Sequence, residues 1–463
     1  MKTCNVMDFG ACADGKSNDS DAIHQAIAAC SAAGGGTVHV PAGSYLTGPI
    51  RLASNLNFHT AAGAAIVFSR DFDDYPLIPL RREGWEMVSC TPPIYGRDLE
   101  NVSITGHGEF DGGGDAWRPV KKFKMTESQW EALLASGGVV DDAGLIWWPT
   151  AAAMAGEKPV SKLLEEGGHG QQLERFSPYR DCLRPVLLCL DRCRNVLIDG
   201  PTFRNPPMWT LNPVLCDHVT VRNVTVENPW HASNGDGLNP DSCRHVLIEH
   251  CRFSTGDDCI AINSGRDEDG RRIGRPCEDV VIRHCRMQRG HGGVVIGSGM
   301  SGGVRNVRVH DCTFEGTDIG LRFKTARGRG GTVEDIEIRD ITMTDIRGEA
   351  IRFNMRYMKE DTAPAPVSEK TPRFRDFKLS NITCNRAQAA VTMRGLPEMP
   401  IENVTLENID ITADQGVLIE DARDITFSGG QVTAKQAPVL HSSNVRNLRL
   451  DNFTQRLQQE QGG

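Results

Sequence analysis

The feature that most constrains the fold is a short phrase that recurs along the chain from about residue 196. RNVLIDG, HVLIEHC and NVRVHDC show its form: an apolar residue leads, and further apolar residues often follow two, five and seven positions later. Successive leading residues are 21 to 41 positions apart, which indicates solenoid coils whose loops vary in length around a fixed frame. The leading residues are Val196, Val219, Val246, Val280, Val307, Ile336, Phe377, Val404, Ile425 and Leu448.

Within each repeat, the apolar positions alternate and then break at a turn, as short β-strands do. Stacked coils would turn residues such as Cys251 and Phe253 into inward-facing ladders around one continuous core. A leucine-rich horseshoe is the competing architecture, but its L-x-x-L-x-L frame is missing. The pattern therefore predicts an all-β, right-handed parallel β-helix, with residues 1–463 in a single domain.

Residues 1–60 are expected to form an N-terminal cap and the first coils. The spacing of apolar residues predicts a helix over residues 20–33, with Ser20 or Asp19 as its N-cap and Gly34 as its stop. Strand-like alternation follows in GGGTVHVPAGSYLTGPI. Such a helix would cover the exposed edge of the first coil.

Residues 115–184 interrupt the repeat and are expected to form a helical loop insertion beside a cleft. TESQWEALLAS and PVSKLLEEGG predict short helices. The insertion would form either a wall at one end of a sugar cleft or a satellite core packed on the solenoid, and the sequence leaves both open. Four tryptophans lie near these helices: Trp117, Trp130, Trp147 and Trp148.

The composition argues against two classes of partner. Lys and Arg number 51 against 60 Asp and Glu, a net charge of −9 with no long basic run, which argues against nucleic acid. No segment approaches the roughly 18 apolar residues of a membrane helix, and MKTCNVMDFGACADGKSND contains no signal-peptide core. We therefore expect a cytoplasmic protein without membrane association, for which a monomeric state is plausible.

The cysteines and the asparagines of the N-x-S/T sequons are predicted to have structural roles. The 15 cysteines contain no paired C-x-x-C zinc pattern, and several fall on core positions, so most are predicted to be buried, reduced thiols. Five N-x-S/T sequons lie mostly within the repeat and are predicted to be turn residues and not glycosylation sites. They begin at Asn101, Asn223, Asn381, Asn403 and Asn452.

Four segments on adjacent coils carry charge where the repeat favours small or neutral residues. They are SNGDGLNPDSC (233–243), STGDDCIAI (254–262), RGHGGVVIG (289–297) and GLRFKT (320–325). Alignment of the strands by Ile262, Ile296 and Phe323 gives Asp257, His291 and Asp318 the same position, five residues earlier. Because side chains alternate along a strand, Arg322 and Lys324 share the outward face. The predicted exterior stripe contains Asp257, Asp258, His291, Arg322 and Lys324.

Asp257 and Asp258 form an adjacent carboxylate pair, which costs energy unless a proton, a cation or a function compensates. With Asp236 from the preceding coil, we expect one carboxyl to acquire a raised pKa while the others stay ionised. Glycoside hydrolysis needs this division between a general acid and a general base. Arg322 and Lys324 add positive charge that suits a uronate carboxylate. A solvated turn or a calcium-binding turn is the alternative for the pair taken alone.

These segments resemble the signature of glycoside hydrolase family 28, the polygalacturonases. The family pattern N-x-D, G/Q-D-D, G-H-G and R-x-K is matched in order at 234–236, 256–258, 290–292 and 322–324. The N-terminal NVMDFGACADG and GGGTVHVPAGSYLTGPI are also similar to the entry segment of the pectin-degrading superfamily. Two positions depart from the usual residues: Gly235 in N-T-D, and Phe323 where isoleucine is usual. Asp241 is a second acidic candidate, but it lies outside the N-x-D match.

The resemblance implies inverting hydrolysis of α-1,4-linked galacturonate in pectic poly- or oligosaccharides, with no metal or cofactor. Asp257 would be the general acid, Asp236 and Asp258 would activate water, and His291 would tune the acid. The substrate-binding residues implied are Asn234, Arg322 and Lys324, the two cations holding the galacturonate carboxylate.

Three alternatives differ in substrate or in chemistry. A rhamnogalacturonan or xylogalacturonan hydrolase would keep the fold and the carboxylates but change the subsites. A pectate lyase would use Ca²⁺ and an arginine base, and a β-helical adhesin or tailspike would need no clustered acid, base and cations. Exo action is favoured if the insertion closes one end of the groove, and a cytoplasmic enzyme would meet imported oligosaccharides.

Overall fold

The computed structural model describes residues 2–166, 173–358 and 362–458 and confirms the parallel β-helix that the repeat predicts. The chain divides into two compact units, Met1–Asn239 with Ser254–Asp257, and Pro240–Phe253 with Asp258–Gly463. In each unit, successive coils contribute short strands that pair in parallel with the strands of the next coil. Nothing in this division tests the single-domain prediction, which stays a prediction.

The first unit contains four α-helices and 21 short strands among its described residues. The helices are α1 (Ser20–Ala32), α2 (Glu127–Ala135), α3 (Ala151–Glu165) and α4 (Leu173–Phe176). The strands are β1 (Lys2–Asn5), β2 (Asp14–Asn18), β3 (Gly36–Val40), β4 (Gly43–Thr47), β5 (Ile50–Arg51), β6 (Leu56–Thr60), β7 (Ala64–Phe68), β8 (Leu77–Arg82), β9 (Trp85–Cys90), β10 (Ile94–Arg97), β11 (Glu100–Gly106), β12 (Glu109–Asp111), β13 (Val120–Lys121), β14 (Val139–Val140), β15 (Ile146–Trp148), β16 (Leu188–Asp191), β17 (Arg194–Asp199), β18 (Thr202–Arg204), β19 (Leu211–Val214), β20 (Asp217–Arg222) and β21 (Thr225–Glu227).

Among its described residues, the second unit has one α-helix, α5 (Asp267–Ile273), and longer strands toward its C-terminal end. The strands are β22 (Arg244–Glu249), β23 (Arg252–Ser254), β24 (Ile260–Ile262), β25 (Cys277–Arg283), β26 (Arg286–Gln288), β27 (Val294–Ile296), β28 (Val304–Glu315), β29 (Leu321–Lys324), β30 (Thr332–Thr344), β31 (Glu349–Asn354), β32 (Arg373–Arg394), β33 (Ile401–Ala434), β34 (Leu440–Asp451) and β35 (Thr454–Leu457).

Parallel pairing runs from coil to coil in register. In the first unit, one sheet follows β1, β3, β6, β11, β17 and β20 in that order. In the second unit, one series follows β22, β25, β28, β30, β32, β33 and β34, and another follows β24, β27, β29, β31 and β32. The strands β24, β27 and β29 of the second series belong to three of the four charged segments, 254–262, 289–297 and 320–325.

The predicted inward ladders form as the repeat requires. Val246 pairs with Val280, Val280 with Val307, and Val307 with Ile336, and all four side chains are buried. In the second unit, the ladder five positions later begins with Cys251, which is buried as well. The core therefore consists of equivalent side chains stacked one inter-strand step apart.

The N-terminal helix and the turn asparagines match their predictions. α1 buries Ala22, Ile23, Ala26, Ile27 and Cys30, the five residues whose spacing predicted it. Asp19 precedes α1, but its carboxylate accepts from the Cys12 and Ala13 amides (2.6 and 3.3 Å) and makes no cap hydrogen bond. All five sequon asparagines have φ between 50° and 56°, the left-handed conformation that asparagine tolerates in turns.

The insertion, residues 115–184, forms satellite cores, while its residues 167–172 lie outside the described part of the chain. Trp130 and Trp147 pack with Val120 in one core, and Trp117 belongs to another. The helix predicted in TESQWEALLAS is confirmed as α2, which Thr126 begins with a capping box. The helix predicted from Pro159 begins earlier, at Ala151, because the Thr150 side chain caps it and the intervening residues include good helix formers.

The described cysteines are all free thiols, and all except Cys12 and Cys182 are buried, as the sequence predicted. Across the described ranges, no helix combines the length and the apolar character needed to cross a membrane.

Three phenylalanines in the second unit give a test of the core. Phe323 and Phe353 stack with ring centroids 4.4 Å apart, and Phe377 meets Phe353 at 5.0 Å. We expect Phe353→Ala to lower the free energy of unfolding by about 3–5 kcal/mol, because the cavity adds to the lost transfer energy. Phe123, 79% exposed, is the matched control, and Phe123→Ala should change it by less than about 0.5 kcal/mol. Denaturant titration measures both, and equal losses would contradict the ladder.

Candidate active site

Asp236 and Asp257 meet in the first unit. Their carboxylate oxygens lie within 4.8 Å of each other. Asp236 is 5% exposed, and its Oδ2 accepts a hydrogen bond from Asn239 Nδ2 at 3.0 Å. The Asp236 carbonyl accepts from the amide and hydroxyl of Thr210 (2.9 and 2.7 Å). Asp257 is only partly buried. The coil therefore fixes the Asp236 carboxylate, and Asp257 is the more exposed of the two.

The glycine before Asp257 is required by close packing. A Cβ on Gly256 would lie 2.5 Å from the Ala232 carbonyl oxygen and 2.7 Å from that of Pro229. Real Cβ atoms do not approach backbone oxygens this closely, so a larger residue would displace the turn that carries Asp257. Gly235 is similarly tight, with Ala232 Cβ at 2.8 Å, which accounts for glycine in the N-x-D motif.

Two basic side chains from the insertion hold these same segments. Lys124, 8% exposed, donates from Nζ to the Gly256 carbonyl at 2.5 Å and to the Trp230 carbonyl at 3.3 Å, and its Nζ lies 4.7 Å from the Trp230 ring centroid. Arg184 donates to Asn234 Oδ1 at 3.0 Å. Neither residue was predicted from the sequence, because the insertion has no repeat frame from which their positions could be derived.

Asp258 lies in the second unit between two cations. Arg322 Nη1 donates to its Oδ1 at 3.2 Å, and Lys324 Nζ donates to its Oδ2 at 2.7 Å. The Asp258 side chain is 3% exposed, so the two ion pairs compensate a charge that burial would otherwise make costly. Tyr357, which the sequence analysis also missed, places its ring 5.7 Å from the Arg322 guanidinium and 5.4 Å from the Lys324 ammonium.

His291 takes the predicted place beside Asp318. Ile262 pairs with Ile296, and Ile296 with Phe323, which is the predicted alignment. His291 Nε2 lies 3.7 Å from Asp318 Oδ2, and each side chain is one-third exposed. The next residue must be small, because a Cβ on Gly292 would lie 2.4 Å from Val295 Cγ2 and 3.2 Å from Asp258 Oδ1.

The structure thus assembles the predicted residues in two groups. The first unit brings together Asn234, Asp236 and Asp257, and the second brings together Asp258, Arg322 and Lys324, with His291 on Asp318. Asp257 and Asp258 are consecutive in the chain.

The alternative acid, Asp241, accepts hydrogen bonds that hold the local backbone. Its Oδ1 accepts from the Gly265 amide at 2.8 Å and from Ser242 Oγ at 3.1 Å, and its side chain is 1% exposed. Those contacts fix the turn before α5. Asp236 is the better candidate for chemistry, because its carboxylate and not that of Asp241 is grouped with Asp257 within 4.8 Å.

The sequence model of "Glycosyl hydrolases family 28" matches residues 171–428, more than half of the chain. A second model, "Rhamnogalacturonase A/epimerase, pectate lyase-like", matches residues 3–70.

Curated relatives and solved structures are similar over most of the chain. A probable polygalacturonase of Vitis vinifera is 28% identical over 88% of this chain and 74% of its own length. An exo-poly-alpha-D-galacturonosidase of Dickeya chrysanthemi is 25% identical over 82% of this chain and 62% of its own. The structure of a hyperthermoactive exopolygalacturonase from Thermotoga maritima is 34% identical, with a TM-score of 0.78, and the match covers 97% of this chain and 92% of that one.

His231 gives a test of the Lys124 contact. Burial, and then the positive charges of Arg118 and Lys124, lower the pKa of His231 from its ordinary 6.5. We expect Lys124→Met to raise the pKa of His231, because one of these charges is removed, whereas Lys122→Met at an exposed neighbouring site should leave it unchanged. NMR titration of the histidine ring protons measures the change.

The same depressed pKa affects stability. Unfolded His231 binds its proton at a higher pH than folded His231, so its contribution to stability is lost as the pH falls from 6.5 through the folded-state pKa. Lys124→Met should weaken that loss. An unchanged His231 titration in Lys124→Met would contradict the placement of Lys124 beside the Asp257 segment.

Proposed function

The chain belongs to glycosyl hydrolases family 28, and from that premise we propose that it hydrolyses α-1,4-linked galacturonate in pectic oligosaccharides or polysaccharides. The observation that carries the proposal is the pair of carboxylates, Asp236 and Asp257, within 4.8 Å of each other, with Asp258 next in the chain. Because like charges this close repel, the pair favours one shared proton, which a general acid needs. Asp257 is the more exposed and is the proposed acid.

Asp236 and Asp258 are the proposed bases that activate water. Both are buried and held by hydrogen bonds or ion pairs. One carboxylate oxygen of Asp236 and one of Asp257 lie within 4.8 Å, whereas the carboxyl groups of inverting enzymes are usually roughly 6.5–9.5 Å apart. We propose inversion because it is general to the family. In this proposal Asp236 and Asp258 activate the attacking water jointly, so the water does not need to fit between one acid and one base.

Arg322 and Lys324 are proposed to bind the galacturonate carboxylate. Both already contact Asp258, but a guanidinium has five N–H donors, so Arg322 can hold Asp258 and a substrate oxygen together. His291, linked to Asp318, is proposed to tune the acid, and Asn234, exposed and held by Arg184, is a further substrate contact.

Exo action on oligosaccharides is the proposed mode. The insertion contacts the segments of Asn234 and Asp257, where it would close one end of a sugar groove. The free thiols suit a reducing, cytoplasmic compartment, in which imported oligosaccharides would be the substrate. A faster rate on polygalacturonate than on oligogalacturonides would argue against this mode.

The products give the first test of the reaction. Incubation with oligogalacturonides should release saturated galacturonate, initially as the β-anomer, at the same rate with and without a chelator. Product sizing, absorbance of unsaturated ends and proton NMR measure these properties. Unsaturated ends that disappear with chelator would indicate a lyase, since carboxylates also bind Ca²⁺. Turnover of rhamnogalacturonan or xylogalacturonan alone would indicate one of those specificities.

Replacement of the proposed acid gives the second test. Asp257→Asn should lower kcat by about 10²–10⁴-fold, because the amide cannot protonate the leaving oxygen. Asp414→Asn is the matched control at an exposed ion pair and should leave kcat unchanged. Undiminished turnover in Asp257→Asn with an intact fold would refute the assignment and favour a binding protein.

A further inference from the structure

A groove of about 380 Å³ lies on the C-terminal coils of the second unit, apart from the residues assigned above. Its walls come from β31, β32 and β33, the start of β34, and the connection between the last two. We propose that it is a distal sugar subsite that binds a later unit of the same pectic chain, an inference that rests on the proposed function.

Strand register connects the groove with Arg322. Arg322 pairs with Arg352, Arg352 with Thr392, Thr392 with Leu418, and Leu418 with His441. Thr392, Leu418 and His441 line the groove and occupy the strand position of Arg322 two, three and four strands later. At about 4.8 Å per step, the groove begins roughly 10 Å from Arg322 along the same outward face. A linear ligand that follows this face from Arg322 would enter the groove.

The polar lining suits a hydroxyl-rich ligand. Gln388, Gln415 and Gln436 come from three successive coils and line the groove. The structure gives none of these amides a hydrogen-bond partner among the described residues, so each can donate to and accept from a sugar. Leu418 and Pro438 add apolar surface for the C–H face of a sugar ring.

The charged side chains of the groove are compensated within the protein. Glu349 lies 3.5 Å from Arg352, and Arg394 lies 3.6 Å from Glu420. The groove therefore presents no surplus of charge, which distinguishes it from an anion site. This balance favours recognition through hydroxyl groups.

The length of the substrate chain distinguishes binding at this subsite from binding at the reaction centre. A short oligogalacturonide bound at Arg322 would end before the groove, whereas a longer chain would fill it. We expect Gln415→Trp, which fills the groove, to lower kcat/KM at least about fivefold for hexagalacturonide, the effect of one or more lost hydrogen bonds. The same variant should leave kcat/KM for digalacturonide unchanged, and Gln415→Ala should give a smaller loss in the same direction.

Gln431 provides the matched control. It lies on the same strand, β33, outside the groove, and its Nε2 donates to Asp410 at 3.0 Å. Gln431→Trp and Gln431→Ala should leave the length dependence unchanged, and thermal unfolding verifies the fold of all four variants. Equal losses for both substrates, or none for hexagalacturonide, would overturn the subsite while the proposed function stands. No turnover of any galacturonide by the unaltered protein would overturn both.

Discussion

Parallel hydrogen bonding between successive coils fixes each strand against the next, and the placement of the second unit's charged residues follows from it. Val295 pairs with Arg322, so the outward positions of β27 and β29 are neighbours whatever the loops between them contain. The inward positions of the same strands, such as Ile296 and Phe323, belong to the core ladder. Outward residues with proposed chemical roles and inward residues of the core therefore alternate along one strand. Either set can be substituted without a shift in the register of the strand.

The ladders were predictable because they repeat, and the contacts of the site were only partly so. Alternation placed Arg322 and Lys324 on one outward face, but their ion pairs with Asp258 depend on side-chain rotamers that no period encodes. Phe323, a departure from the usual isoleucine, becomes intelligible only beside Phe353, on which it stacks. Lys124 could not be predicted, because no repeat relates it to Gly256, 132 residues away.

Burial of Asp258 explains why two cations stand at this place. A carboxylate that is 3% exposed is costly unless it is paired, and Lys324 and Arg322, themselves 11% and 14% exposed, provide that pairing. The same cations are the proposed ligands of the substrate carboxylate. Two positive charges face the single negative charge of Asp258, so a bound uronate would supply the second anion, and the planar guanidinium of Arg322 matches the geometry of a carboxylate.

The insertion forms satellite cores and also holds segments of the proposed site, whereas the sequence had offered a satellite core and a wall at one end of a sugar cleft as alternatives. Its packed core, Val120 with Trp130 and Trp147, lies on the strand and helix that flank Lys124. Because that core orders the segment before the substrate arrives, the Lys124 ammonium meets the Gly256 and Trp230 carbonyls at little further entropic cost. The segment that carries Asp257 is thus held by the insertion on one side, and Asp258, its neighbour in the chain, by the cations of β29.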